Sequence, residues 1–189
     1  MVKSGCRRGA VAFASLLLSL LGALASLPGE AAAPSEYEVK AAFLYHFAKY
    51  VEWPPGAANG EADLFVITIL GEDPFGGVID QALEGKTVDG RRVVVRRTSR
   101  PEDIKASRIL FVSDSEQAQL GDILKRLSGV PTLTVGEMDR FAERGGVIRF
   151  RTEKSRIRLE INLGAAARAR LKISSELLKL ARIVGEEAG

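Results

Sequence analysis

Residues 63–83 read DLFVITILGEDPFGGVIDQAL, and the fold class follows from this stretch. Asp63 to Leu70 is an almost continuous β-branched and apolar run, the pattern of a strand covered on both faces. Gly71 to Gly77 reads as a turn, with Asp73 capping a helix whose first residue is Pro74. That helix runs to about Leu83, and Phe75, Val78, Ile79, Ala82 and Leu83 face the core at helical spacing. Strand, glycine, helix is one βα unit of a parallel sheet.

The pattern repeats downstream. Val88-Asp89-Gly90-Arg91 is a turn and Arg92 to Arg97 a strand. Pro101 to Lys105 is a short helical turn, and Arg108 to Val112 a third strand. Asp114 or Ser115 caps a helix through Leu127 that buries Leu120, Ile123, Leu124 and Leu127, and Gly129 stops it. Pro131 to Val135 is a fourth strand, leading through Gly136 into a short helix, Met138 to Glu143. Then VIRFRT and RIRLEINL, separated by a few residues around Glu153-Lys154, read as an antiparallel hairpin. On its second strand Ile157, Leu159, Ile161 and Leu163 face in, while Arg156, Arg158, Glu160 and Asn162 face out. An Ala/Arg helix follows. Ser174 caps a last helix with Leu177, Leu180, Ala181 and Val184 on its buried stripe. The expected fold is a single α/β domain: a mixed, mostly parallel sheet with a C-terminal antiparallel hairpin and helices on both faces.

Ahead of the first strand lies SEYEVKAAFLYHFAKYVEWP, residues 35–54, which holds all three tyrosines, the one tryptophan and the one histidine. Ser35 caps a helix with Glu36 and Glu38 in its first turn, where the helix dipole favours acids. Val39, Ala42, Phe43, His46, Phe47 and Tyr50 form one apolar stripe, and Ala41, Leu44, Ala48 and Val51 widen it until little polar face remains. Such a helix must be buried on more than one side. Pro54-Pro55 ends it.

Residues 1–33 read as a secretory signal peptide, with Lys3, Arg7 and Arg8 ahead of an apolar run from Ala10 to Leu27. Cleavage falls after Ala31 or after Ala33; the rival reading is an uncleaved anchor. Removing 33 of 189 residues leaves 156 for one domain, 34–189. Three basic residues and Glu30 go with them, so the net charge drops from +3 to +1, which disfavours a nucleic-acid partner. Cys6, the only cysteine, is also lost, so thiol chemistry and thiolate metal sites are excluded.

No catalytic constellation is visible. His46 lies on an apolar helical face, and no Ser or Asp pairs with it in sequence. Gly85-Lys86-Thr87 lacks the leading glycine and strand of a phosphate loop. The expectation is a protein that is not an enzyme and needs no cofactor or metal. The candidate partner- or ligand-binding residues are Tyr45, Tyr50 and Trp53 on the first helix, because amphipathic aromatics favour interfaces. Arg149, Arg151, Arg156, Arg158, Glu160 and Asn162 on the hairpin's polar face join them. A bland reading stands beside each: core packing for the helix, and staggered arginines bonded to Glu153, Glu160 and water for the hairpin. Arg91, Arg92, Arg96 and Arg97 extend the basic face or merely solvate a strand edge.

Five blocks resemble the YfiR-like family of periplasmic proteins: VKAAFLYHFAKYVEWP at 39–54, ILGEDPFG at 69–76, ILFVSDSE at 109–116, LTVGEMDRFAERGGVIRF at 133–150 and IRLEINLGAAARARLKISSELLKLARIV at 157–184. The resemblance implies a non-enzymatic periplasmic regulator. It implies repression of an inner-membrane diguanylate cyclase through the cyclase's periplasmic sensor domain, and so lower cyclic-di-GMP and restrained biofilm formation. An outer-membrane lipoprotein that sequesters the repressor, and a homodimer, are further implied partners. The best-known member has disulfide-forming cysteines, whereas this chain has none after Cys6, so redox control does not carry over. The alternative is a periplasmic small-ligand sensor, with an anion or aromatic ligand near the first helix or the hairpin arginines.

Overall fold

The computed structural model describes residues 33–56 and 63–185. Nearly all of the expected signal peptide, most of the Pro55–Ala62 loop and the end of the tail lie outside the described residues. Helix α1 spans Glu36–Tyr50 and opens with the expected Ser35 cap, in which Glu38 reaches back to the Ser35 N–H. It stops before the prolines. Val51 turns extended, and Val51–Glu52 becomes a two-residue strand, β1.

The remaining elements are β2 Leu64–Leu70, α2 Gly77–Leu83, β3 Thr87–Val88, β4 Arg91–Thr98, β5 Ile109–Val112, α3 Leu120–Arg126, β6 Leu133–Gly136, β7 Ile148–Glu153, β8 Arg156–Asn162, α4 Leu163–Arg168, β9 Lys172–Ile173, α5 Ser175–Leu178 and β10 Ala181–Val184. Short 3₁₀ helices, Pro101–Ala106 and Asp114–Gln119, precede β5 and α3. Eight strands form one sheet in the order β10-β8-β7-β6-β5-β2-β4-β3. The run β4-β2-β5-β6-β7 is parallel; β3 and β8 run antiparallel to their neighbours β4 and β7. β1 and β9 form a separate antiparallel pair, Val51 opposite Ile173.

β2 is central and covered on both faces, as its unbroken apolar run requires. Phe65, Ile67 and Ile69 point into the larger core with Leu44 and Phe47 of α1, Ile79 of α2 and Ala165 and Ala166 of α4. Leu70 joins a second core with Ile104, Leu110, Val112, Leu120, Ile123 and Phe141. The hairpin turns at Lys154-Ser155, both at positive φ (50° and 59°), the two-residue turn whose twist matches its strands.

Three expectations are corrected. Met138–Glu143 is a series of turns, because Arg140 sits at φ 56° and interrupts any helix. The Phe141 ring instead packs between Gly136 and Gly146, where an added Cβ would lie 2.1 Å from the ring. The last helix is a single turn, and Ala181–Val184 forms β10, pairing parallel with β8. On β8, Glu160 and Asn162 are buried rather than turned to solvent, because β10 and the Ala142 segment cover them.

One buried charge was not anticipated. Lys40 on α1 is 1% exposed, and its ammonium bonds Glu36 one turn back at 2.6 Å and Glu137 just beyond β6. Burial alone would lower its pKa, but the bonds to Glu137 and Glu36 outweigh it and hold the group above the ordinary lysine value. The Lys40 bond, with Thr152 assisting, holds the Glu36 carboxyl below its usual range.

Lys40→Ala is expected to lose about 3 kcal/mol in urea unfolding, because Glu137 is left without its partner. Lys40→Met combined with Glu137→Gln should recover most of that loss. The stability difference between the wild type and Glu36→Gln should be full above about pH 4.3 and vanish as pH falls through the lowered folded value. The lysine contribution should stay constant through neutrality and fade only above about pH 10.4, on the rise through its raised folded value. Gly146→Ala should cost about 2 kcal/mol or more, read from the same unfolding curves, through its collision with Phe141.

Candidate functional site

In an open parallel sheet, ligands bind outside the carboxyl ends of the strands, where the strand order reverses. Here that point lies between β2 and β5. It is filled by the chain itself: Ser115 Oγ accepts from the Glu72 N–H at 3.0 Å and lies against Gly71, which holds φ +91°. The crevice beside it is lined by Tyr37, Asp114, Glu137, Arg149 and Arg151. Burial first, and then the Glu137 charge, raise the Asp114 carboxyl above its ordinary value. Among the described residues no three His, Cys, Asp or Glu side chains converge as a metal site.

α1 presents two apolar faces. Ala41, Leu44, Phe47 and Ala48 are buried on the sheet. The expected stripe is split: Phe47 joins the sheet face, while Val39, Ala42, Phe43, His46 and Tyr50 lie on the other side, with Ala42, His46 and Tyr50 exposed. His46 is therefore not a core residue; it stacks on Tyr50 at 6.1 Å and 22°. This outer stripe and Leu177, Lys179 and Leu180 bound an open apolar groove of about 520 Å³. Leu180 is 66% exposed. Ile183 on β10 is 40% exposed and pairs with Ile161, which places it on the α1 side of the sheet. Large apolar side chains grouped in this way mark interaction surfaces.

The three candidate aromatics separate. Tyr50 lines the groove. Tyr45 turns towards β3, donating to the Thr87 carbonyl at 3.2 Å with Lys49 and Lys86 near its ring. Trp53 lies beyond β1, edge-on to Phe65 at 5.3 Å, in a different pocket.

The hairpin residues share one face, as expected, but they are not staggered. Arg149 stands opposite Glu160, Arg151 opposite Arg158, and Glu153 opposite Arg156. Glu160 is the hub, 2% exposed, accepting from Arg149 at 3.2 Å and Arg182 at 2.9 Å, with Arg151 at 3.9 Å. Arg149 also bonds Asp139 at 2.8 Å. Asn162 caps α4 through the Ala165 N–H and donates to the Ala142 carbonyl, both at 2.8 Å, so its side chain holds the fold together. Arg156 and Arg158 remain exposed. The sequence signal for Glu160 was the one acid on the outward face of the second hairpin strand.

Glu160→Ala is expected to cost about 3 kcal/mol by leaving Arg149 without its buried counter-charge. Arg158→Glu should leave the melting temperature unchanged or raise it, since it turns the like-charged pair with Arg151 into an ion pair. Thermal unfolding of the two variants measures both effects.

Two solved structures align with the chain at low identity. A conserved domain protein from Vibrio cholerae O1 biovar eltor aligns with a TM-score of 0.49 and 11% identity over 80% of this chain and 60% of that one. An ABC domain in complex with L-Trp from Streptococcus pneumoniae aligns with a TM-score of 0.47 and 11% identity over 64% of this chain and 55% of that one. The chain thus spans under two thirds of either. No curated protein matches the sequence. The family model described as YfiR/HmsC-like (DUF4154) matches residues 37–182, from the first turn of α1 into β10. Proteins of that family are periplasmic, non-catalytic regulators in diguanylate cyclase signalling, and this chain belongs to the YfiR/HmsC-like family.

Proposed function

We propose that the protein is exported through its first 33 residues and represses an inner-membrane diguanylate cyclase by binding the cyclase's periplasmic domain. The observation that carries this reading is the apolar groove between α1 and α5, which Tyr50 and Leu180 line from exposed positions. A protein that binds through such a surface gains from burying it, at roughly 25 cal/mol per Å² of apolar area. Arg156 and Arg158 offer a polar surface of the kind that sets orientation. Repression requires only that this surface bind the inactive state of the cyclase more tightly than the active one. A two-fold pair of repressors matches a dimeric cyclase. Family membership supports the cyclase as target.

Deleting the gene is expected to raise intracellular cyclic-di-GMP, and restoring the wild type is expected to lower it again. A chain lacking residues 1–33 should not restore it. Leu180→Glu should fail to restore it while reaching wild-type level and keeping the wild-type melting temperature, because Leu180 contributes little to the core. An unchanged cyclic-di-GMP level on deletion, under several growth conditions, would sink the repressor reading. Full restoration by Leu180→Glu would remove the groove from it.

A further inference from the structure

A second pocket opens at the amino ends of the parallel strands. It holds about 480 Å³ and shares no lining residue with the α1–α5 groove. Its charged lining is Lys49, Glu52, Asp89, Arg91 and Arg108, and Trp53 stands beside them. Arg108 immediately precedes β5. Its N–H donates to the Val66 carbonyl at 2.9 Å and its carbonyl accepts from the Leu133 N–H at 2.8 Å, so its backbone is pinned between β2 and β6. The residue is only 9% exposed. Among the described residues its guanidinium makes no hydrogen bond or ion pair, and it lies over the Trp53 ring, 6.0 Å from Cζ to centroid.

The Arg108 stem is enclosed while its guanidinium keeps access to the pocket, where a planar fork of N–H donors suits an anion. Burial first, and then the nearby Arg91 charge, lower the Arg108 pKa, so an anion reaching it would relieve both. Trp53 adds a second orphan: its indole Nε1–H is buried without an acceptor. The two unsatisfied donors belong to residues that line one pocket and touch one another. The guanidinium's fork of N–H donors matches the two oxygens of a carboxylate. Val51, Pro54, Pro55 and Phe65 supply apolar walls.

We propose that this pocket binds a small monocarboxylate, its carboxylate held by Arg108 and its carbon skeleton lying against the Trp53–Pro55 wall. The site has no part in the cyclase-binding surface, and it stands whether or not repression is the protein's activity.

Trp53 is the only tryptophan in the chain, so its fluorescence reports on this pocket alone. Hexanoate is an optically silent probe. Titrated into the purified protein at constant ionic strength, it is expected to give a saturable change in Trp53 emission and a rise in melting temperature. Arg108→Gln should weaken the apparent affinity at least tenfold and keep or raise the melting temperature of the ligand-free protein. Trp53→Phe, followed by calorimetry, should bind several-fold more weakly. Inorganic phosphate should give no saturable response. Absence of saturation with hexanoate, or equal affinity in Arg108→Gln, overturns the site. A response to phosphate but not to hexanoate overturns the carboxylate assignment. If Arg108→Gln unfolds, Arg108 is a structural residue and the proposal fails.

Discussion

Helix α1 carries more apolar surface than one face of a sheet can cover, and the rest of the molecule is arranged around that excess. Its inner face supplies Leu44 and Phe47 to the larger core, over the strands that hold Phe65, Ile67 and Ile69. Its outer face is only partly covered, by the single turn of α5, and the remainder forms the groove. A helix that is apolar all round is normally enclosed. Here enclosure is left incomplete in a chain that belongs to a family of regulators, whose activity consists in contact with other molecules.

Electrostatics fixes how α1 sits. Lys40 lies on the inner face, and its bonds to Glu36 and Glu137 tie the first turn of the helix to the carboxyl end of β6. Apolar packing has no preferred register, whereas a buried ion pair tolerates little displacement. The Glu160 hub acts similarly at the other side of the sheet, holding Arg149 of the hairpin and Arg182 of β10 on one carboxylate. Both clusters place single charges where neighbouring elements must agree in position.

Much of this was legible in the sequence. Strand β2 announced itself by its unbroken apolar run, the hairpin by its alternation, and α1 by Ser35 and Glu38. The failures share a cause: they depend on partners distant in the chain. Ala181–Val184 is too short for periodicity to separate helix from strand, and only the open edge of β8 decides it. The apolar stripe that holds His46 does not reveal its exposure, because both faces of α1 are apolar and nothing local says which one meets the sheet. Lys40 gave a faint signal, a lysine one turn after Glu36 amid apolar residues, but Glu137 lies 97 positions away. Of the candidate site, the exposed arginines and Tyr50 were readable. Arg108 was not, because a single residue just ahead of a strand carries no pattern.

The pairing of β1 with β9 bears on the order in which the molecule forms. Val51 meets Ile173, and Glu36 meets Thr152 at a separation of 116 residues. The first helix therefore has its full set of partners only when nearly the whole chain is available. Contacts between the two ends of a chain carry the largest loop-closure entropy and slow the approach to the native state. Until the last strands arrive, α1 has no completed surface to pack against, and early synthesis cannot trap it in a finished domain. A polypeptide of this topology remains threadable until its final segments emerge, a useful property for any chain that must fold on the far side of a membrane.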